Sequence, residues 1–128
     1  MSRFAVISAA LLGVLFPLLE TLRRGFSAWL TTPVTLLEDY VAGALLLWAA
    51  VFLGQRRPSG WVVMLAAAAY TTGMMSSSFW KQLEAQLTGE TWEDNQIVVI
   101  GFKLLLWGVP LILTIISARA VLRQQAAR

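Results

Sequence analysis

QIVVIGFKLLLWGVPLILTII, residues 96–116, is the stretch whose reading decides the fold. It runs for 21 residues with a single charge, Lys103. A helix needs about 20 mainly apolar residues to cross the hydrocarbon core of a bilayer. A helix on the surface of a soluble domain keeps a polar face for water, whereas here apolar side chains point in every direction around the axis. The expected solvent for this segment is lipid.

Working outward, three further stretches have the same character, at about 4–22, 34–53 and 61–80. The first carries Pro17, which removes a backbone donor and favours a kink. It also carries Ala9 and Gly13, a pair of small residues one turn apart that lets a neighbouring helix approach closely. The segment is read as a retained span and not as a cleaved leader, because Glu20-Thr21-Leu22-Arg23-Arg24 offers no small-x-small cleavage site. The second span starts after Thr32, with Pro33 as its first residue, or at Thr35-Leu36-Leu37-Glu38 read as a capping box, and Gly54 is its expected left-handed terminator. Gln55-Arg56-Arg57-Pro58-Ser59-Gly60 is a turn in which Ser59 can cap the third helix. The spacing of Phe79, Leu83 and Leu87 carries that helix on until Gly89, and Thr91-Trp92-Glu93-Asp94 resembles the cap of the fourth. Residues 117–128 form a basic tail, helical at first and frayed later. Between the first two spans, Leu22, Phe26, Trp29 and Leu30 fall on one side of a segment that reads equally as a short interfacial helix or as a loop with an aromatic anchor. The expected fold is an all-α, single-domain, up-down-up-down bundle of four transmembrane helices.

Composition agrees. Of 128 residues, 58% are hydrophobic and 13% charged, about half the charge of an ordinary soluble domain. The net charge of +3 does not point to nucleic acid, because the basic residues stand singly or in pairs at the ends of apolar runs. With no cysteine, disulfides, thiol redox chemistry and thiolate metal sites are excluded. With no histidine, imidazole proton relays and the usual haem ligation go too.

Four spans put the amino terminus, the 54–60 turn and the tail on one side, with Arg3, Arg56, Arg57, Arg119, Arg123 and Arg128. The other side has Arg23, Arg24 and Lys81. Lysine and arginine in short loops set topology, so six against three places both termini in the cytoplasm, in a cell membrane of bacterial inner-membrane type. All seven acids lie at or beneath the opposite, outer face.

Lys103 is the one charge well inside a span, and an uncompensated charge at mid-bilayer costs on the order of 3 kcal/mol. Glu38 and Asp39 sit at a similar shallow depth on the second helix and are the natural counter-ions. Alternatively, Lys103 snorkels to the interface along its four-carbon stem. Glu20, Tyr40, Tyr70, Thr71, Thr72 and Ser76 to Ser78 occupy the same half of the bundle. Together with Glu38, Asp39 and Lys103 they could line a polar cavity for a small polar or zwitterionic ligand, the candidate cluster being Glu38, Asp39, Lys103, Tyr70 and Glu20. The competing reading has the hydroxyls bonding back to their own helix carbonyls. The six tryptophans fit interfacial belts or packing and imply no cofactor.

No nucleophile–base pair, phosphate loop or metal-spaced cluster is legible, so neither a cofactor nor an enzymatic activity is expected. The sequence favours a non-enzymatic membrane component, self-associating or an accessory subunit of a larger membrane complex, with the lipid bilayer as its partner and no nucleic acid. A small dimeric transporter or polar-ligand binder built on the outer cluster is the alternative.

Overall fold

The computed structural model describes residues 2–24, 33–90 and 96–128, and among these the secondary structure is four α-helices with no strand. They are α1 (Ser2–Arg24), α2 (Pro33–Gly54), α3 (Gly60–Leu87) and α4 (Gln96–Ala126). Each contains a stretch long and apolar enough to cross a membrane. In α4 only 17% of the most apolar window is buried inside the protein. Ile97, Phe102, Leu104, Leu105, Ile112 and Ile115 all stand about half exposed or more. An apolar surface of that extent suits hydrocarbon and not water.

The helices pair as two tight couples, α1 on α2 and α3 on α4. A smaller contact between α2 and α3 joins the couples, and α1 barely touches α4. The core between them is made of small and flexible side chains: Ala5, Ala9, Leu12 and Phe16 from α1, Leu46, Ala49, Ala50 and Leu53 from α2, Met64, Ala67, Ala68 and Met75 from α3, and Leu113 from α4.

The α1–α2 crossing is the closest approach for which the cause can be named. Pro17 has no N–H, so the carbonyl of Gly13 loses its donor within α1. That carbonyl lies against Gly43 of α2. A Cβ placed on Gly43 would fall 2.6 Å from Gly13 O and 2.9 Å from Pro17 Cδ, and one on Gly13 would fall 2.7 Å from Leu47 Cγ. Neither glycine tolerates a side chain without parting the helices. The small pair Ala9 and Gly13 therefore serves the approach its spacing predicts, and α1 runs on through Pro17 to Arg24.

Several local expectations give way to the structure. Gly54 remains inside α2, and the left-handed residue after it is Arg56, with φ of 56°. Arg56 N–H bonds Leu53 O at 3.0 Å and Arg57 N–H bonds Phe52 O at 3.2 Å, the paired closure of a Schellman cap. Gly54 arrives one position too early for that role. Ser59 precedes α3 with helical dihedrals and its side chain makes no capping bond. At the other end of α3 the sequence reading holds: Gly89 is left-handed at φ 83°, and Glu90 N–H closes on Ala85 O at 2.9 Å. Since α2 starts at Pro33, Thr35 is already helical and Glu38 stands in the second turn, so the capping-box alternative is set aside. The tail, expected to be helical at first and frayed later, is helical as far as Ala126. The predicted interfacial segment after Arg24 and the cap at Thr91 to Asp94 lie outside the described residues.

Candidate functional site

The acidic end of the bundle is where α1 and α3 finish and α2 and α4 begin. Asp39 lies six residues into α2 and Lys103 seven into α4, which at a rise of 1.5 Å per residue puts both about 10 Å down their helices. Because α1 and α4 hardly meet, the four helix ends do not close on one another, and a cavity of about 440 Å³ remains between them.

Its walls divide by polarity. Glu20 of α1, Glu38 and Asp39 of α2, Ser77 and Ser78 of α3 and Lys103 of α4 supply the polar part. Phe16, Leu19, Met74, Met75, Phe102 and Leu106 supply the apolar part. Asp39 is buried at 8% exposure, Glu20 and Lys103 are half-buried, and Glu38 is exposed. Three carboxyl groups and one ammonium thus face a single space, with two hydroxyls beside them.

Four of the five residues singled out from the sequence, Glu20, Glu38, Asp39 and Lys103, come together here. Tyr70 does not: it is 39% exposed on the outside of α3, about 100° around the helix from its buried neighbour Thr71. Thr71 and Thr72 also stand apart from the cavity, and their hydroxyls donate to Ala67 O at 2.8 Å and Ala68 O at 2.7 Å, the back-bonding alternative. Tyr40 braces the wall behind, its hydroxyl 2.7 Å from Thr21 Oγ1, which itself donates to Pro17 O.

A polar residue beside the cavity escaped sequence reasoning, as did the cavity's apolar wall. Lys103 Nζ donates to Oε1 of Gln82 at 2.9 Å, and Gln82 is 1% exposed. This acceptor fixes the amide orientation, because an ammonium can only donate. The Gln82 Nε2 group is consequently turned into a buried position without a hydrogen-bond partner among the described residues. A signal was available: Met64, Thr71, Met75, Phe79 and Gln82 follow the three-and-four spacing of the buried face of α3. Below the cavity, Trp107 stacks on Phe79 with centroids 5.4 Å apart and planes at 12°, and Trp80 meets Trp107 edge-on at 5.5 Å. These rings fix α3 against α4 just beneath Lys103 and its partner.

Among the described residues no group of acids is arranged to hold a metal ion. Compared with known proteins, the chain matches no family model, no curated protein and no solved structure.

Proposed function

We propose that this chain is an integral membrane protein of up-down-up-down topology with both termini in the cytoplasm, whose outward-facing cavity binds a small amphiphilic ligand carrying an amine. The observation that carries this reading is the meeting of Glu20, Glu38, Asp39 and Lys103, from three different helices, in one space that also has apolar lining. At about 440 Å³ the space falls within the 300–1,000 Å³ usual for small-molecule sites. Carboxylates beside two serine hydroxyls form a lining that suits a ligand bringing positive charge or hydrogen-bond donors. Lys103 supplies a second pole for a ligand that also has a carboxylate, and Phe16, Met74 and Phe102 take its apolar body.

The experiment compares phenylalanine, phenethylamine and phenylacetate, which share a ring and differ in their charged poles, by calorimetric titration of the protein in neutral detergent. Phenylalanine and phenethylamine bind and phenylacetate does not. Asp39→Asn weakens both by about tenfold or more, as expected from a charge-assisted hydrogen bond of about 1.5–3 kcal/mol. Lys103→Met removes the preference for phenylalanine over phenethylamine. Binding unchanged in both variants, or equal for the three probes, overturns the proposal.

A second reading, self-association, is favoured by the open side between α1 and α4 and by the exposed stripe Phe4, Ile7, Leu11, Val14 and Leu18 along α1. Their spacing of three and four is that of a helix–helix seam. Native mass measurement in mild detergent tests it, a strictly monomeric particle being the contrary result.

A further inference from the structure

At the opposite end of the bundle, the start of α1, the turn between α2 and α3, and the last part of α4 enclose a second cavity of about 560 Å³. Arg3, Arg56 and Arg57 line it together with Gln124, and none of the described residues around it is acidic. One guanidinium group, that of Arg57, is held in place by side-chain contacts, and a second arginine has its backbone fixed by the turn. Arg56 occupies the left-handed position of the Schellman cap. Arg57 lies over the Phe52 ring, 4.5 Å from its centroid, and its Nε donates to Gln55 Oε1 at 2.9 Å. With Nε committed, an anion approaching Arg57 meets the two Nη groups side by side, the geometry that suits two oxygens of one phosphate.

Backbone amides add little at the turn, since Gly60 N–H already goes to Arg57 O and Val63 N–H to Ser59 O. The attraction therefore comes from the side chains. The cavity also has an apolar flank, in which Trp61 is half-buried and Ile7 is 59% exposed on the surface that faces hydrocarbon.

We infer that this cavity is a binding site for the phosphate group of an anionic ligand, distinct from the amine site at the other end of the bundle. Among the described residues, three arginines line one cavity with no carboxylate beside them, an arrangement that an anionic group from outside the chain would balance. Basic pockets between membrane helices at a bilayer surface accept phospholipid headgroups on the same principle, and the flank of Ile7 and Trp61 offers acyl chains a path out of the pocket. A soluble phosphate ester presents the same group without the chains.

The test uses the whole protein in neutral detergent, titrated with phosphatidylglycerol or phosphatidylcholine and read by native mass spectrometry, with glycerol 3-phosphate as a soluble competitor. Phosphatidylglycerol binds with defined stoichiometry and phosphatidylcholine does not. Arg56→Gln with Arg57→Gln weakens it about thirty-fold, which is about 2 kcal/mol at 1.4 kcal/mol per tenfold, or about 1 kcal/mol for each arginine. Arg119→Gln with Arg123→Gln removes the same charge from the same end outside the cavity and changes binding less than about threefold. Arg3→Gln, which alters no residue of the turn, weakens binding in the same direction as the first pair. Displacement by glycerol 3-phosphate supports the site with a soluble ester as its ligand, and resistance to it supports a lipid. Equal losses in the two double variants, or equal binding of the two lipids, overturn the inference.

Discussion

Adding a single methyl group at Gly43 tests the packing on which the acidic-end cavity rests. The new Cβ would lie 2.6 Å from Gly13 O, about 0.8 Å short of the 3.4 Å at which ordinary contact begins, and the Pro17 ring blocks the other side at 2.9 Å. Both obstacles are backbone or ring atoms that cannot rotate away, so α1 and α2 must separate. Overpacking of this kind costs about 1–3 kcal/mol, whereas alanine in place of glycine returns about 0.5–1 kcal/mol of helix preference. Gly43→Ala is therefore destabilising by about 0.5–2 kcal/mol. Gly73→Ala serves as the control, because a Cβ there meets nothing within 4 Å and only the favourable term acts. The two variants, identical in chemistry, move in opposite directions and differ by the overpacking cost alone, about 1–3 kcal/mol. Reversible unfolding in mixed micelles with increasing sodium dodecyl sulfate, followed by circular dichroism, measures the difference. If Gly43→Ala and Gly73→Ala unfold at the same detergent fraction, the reasoning about the crossing is wrong. Asp39 stands one turn from Gly43 on the same helix, so parting the helices should also weaken phenethylamine binding in Gly43→Ala and leave it unaltered in Gly73→Ala.

Two smaller effects are expected in the same unfolding assay. Arg56→Gly relieves a side chain from the left-handed region and stabilises the turn by about 1 kcal/mol, while weakening the phosphate site; a loss of stability would contradict the strain argument. Thr72→Val changes stability by less than about 0.6 kcal/mol, because its hydroxyl bonds chiefly to Ala68 O and reaches Thr114 Oγ1 only at 3.3 Å, and a loss above 1 kcal/mol would show that the interhelical bond matters more.

Hydropathy and length located all four helices, because an apolar stretch of about 20 residues has few alternatives. Helix ends were harder to read. Arg56 and not Gly54 takes the left-handed position, since a cap is fixed by where the next helix must start and not by the nearest glycine. The tail reads as helical only at first, because its last turns mix Arg119, Arg123 and Gln124 with Val121 and Leu122 and carry no clear apolar period, yet α4 runs to Ala126. Charge counting brought Glu20, Glu38, Asp39 and Lys103 into one region, but depth along a helix does not specify rotation about it. That missing rotation is why Tyr70 was grouped with them although it faces outward, and why Gln82, on the buried stripe, was passed over.

The pairing of α1 with α2 and of α3 with α4 bears on how the chain is made. Each couple completes its own tightest interface before the other is needed, so an emerging polypeptide can deliver the first hairpin to the bilayer as a finished piece while the second is still being synthesised. The smaller α2–α3 contact is then expected to form last, by lateral docking of two preassembled halves. Co-expressed fragments cut within the 55–59 turn should accordingly find one another and reconstitute the whole.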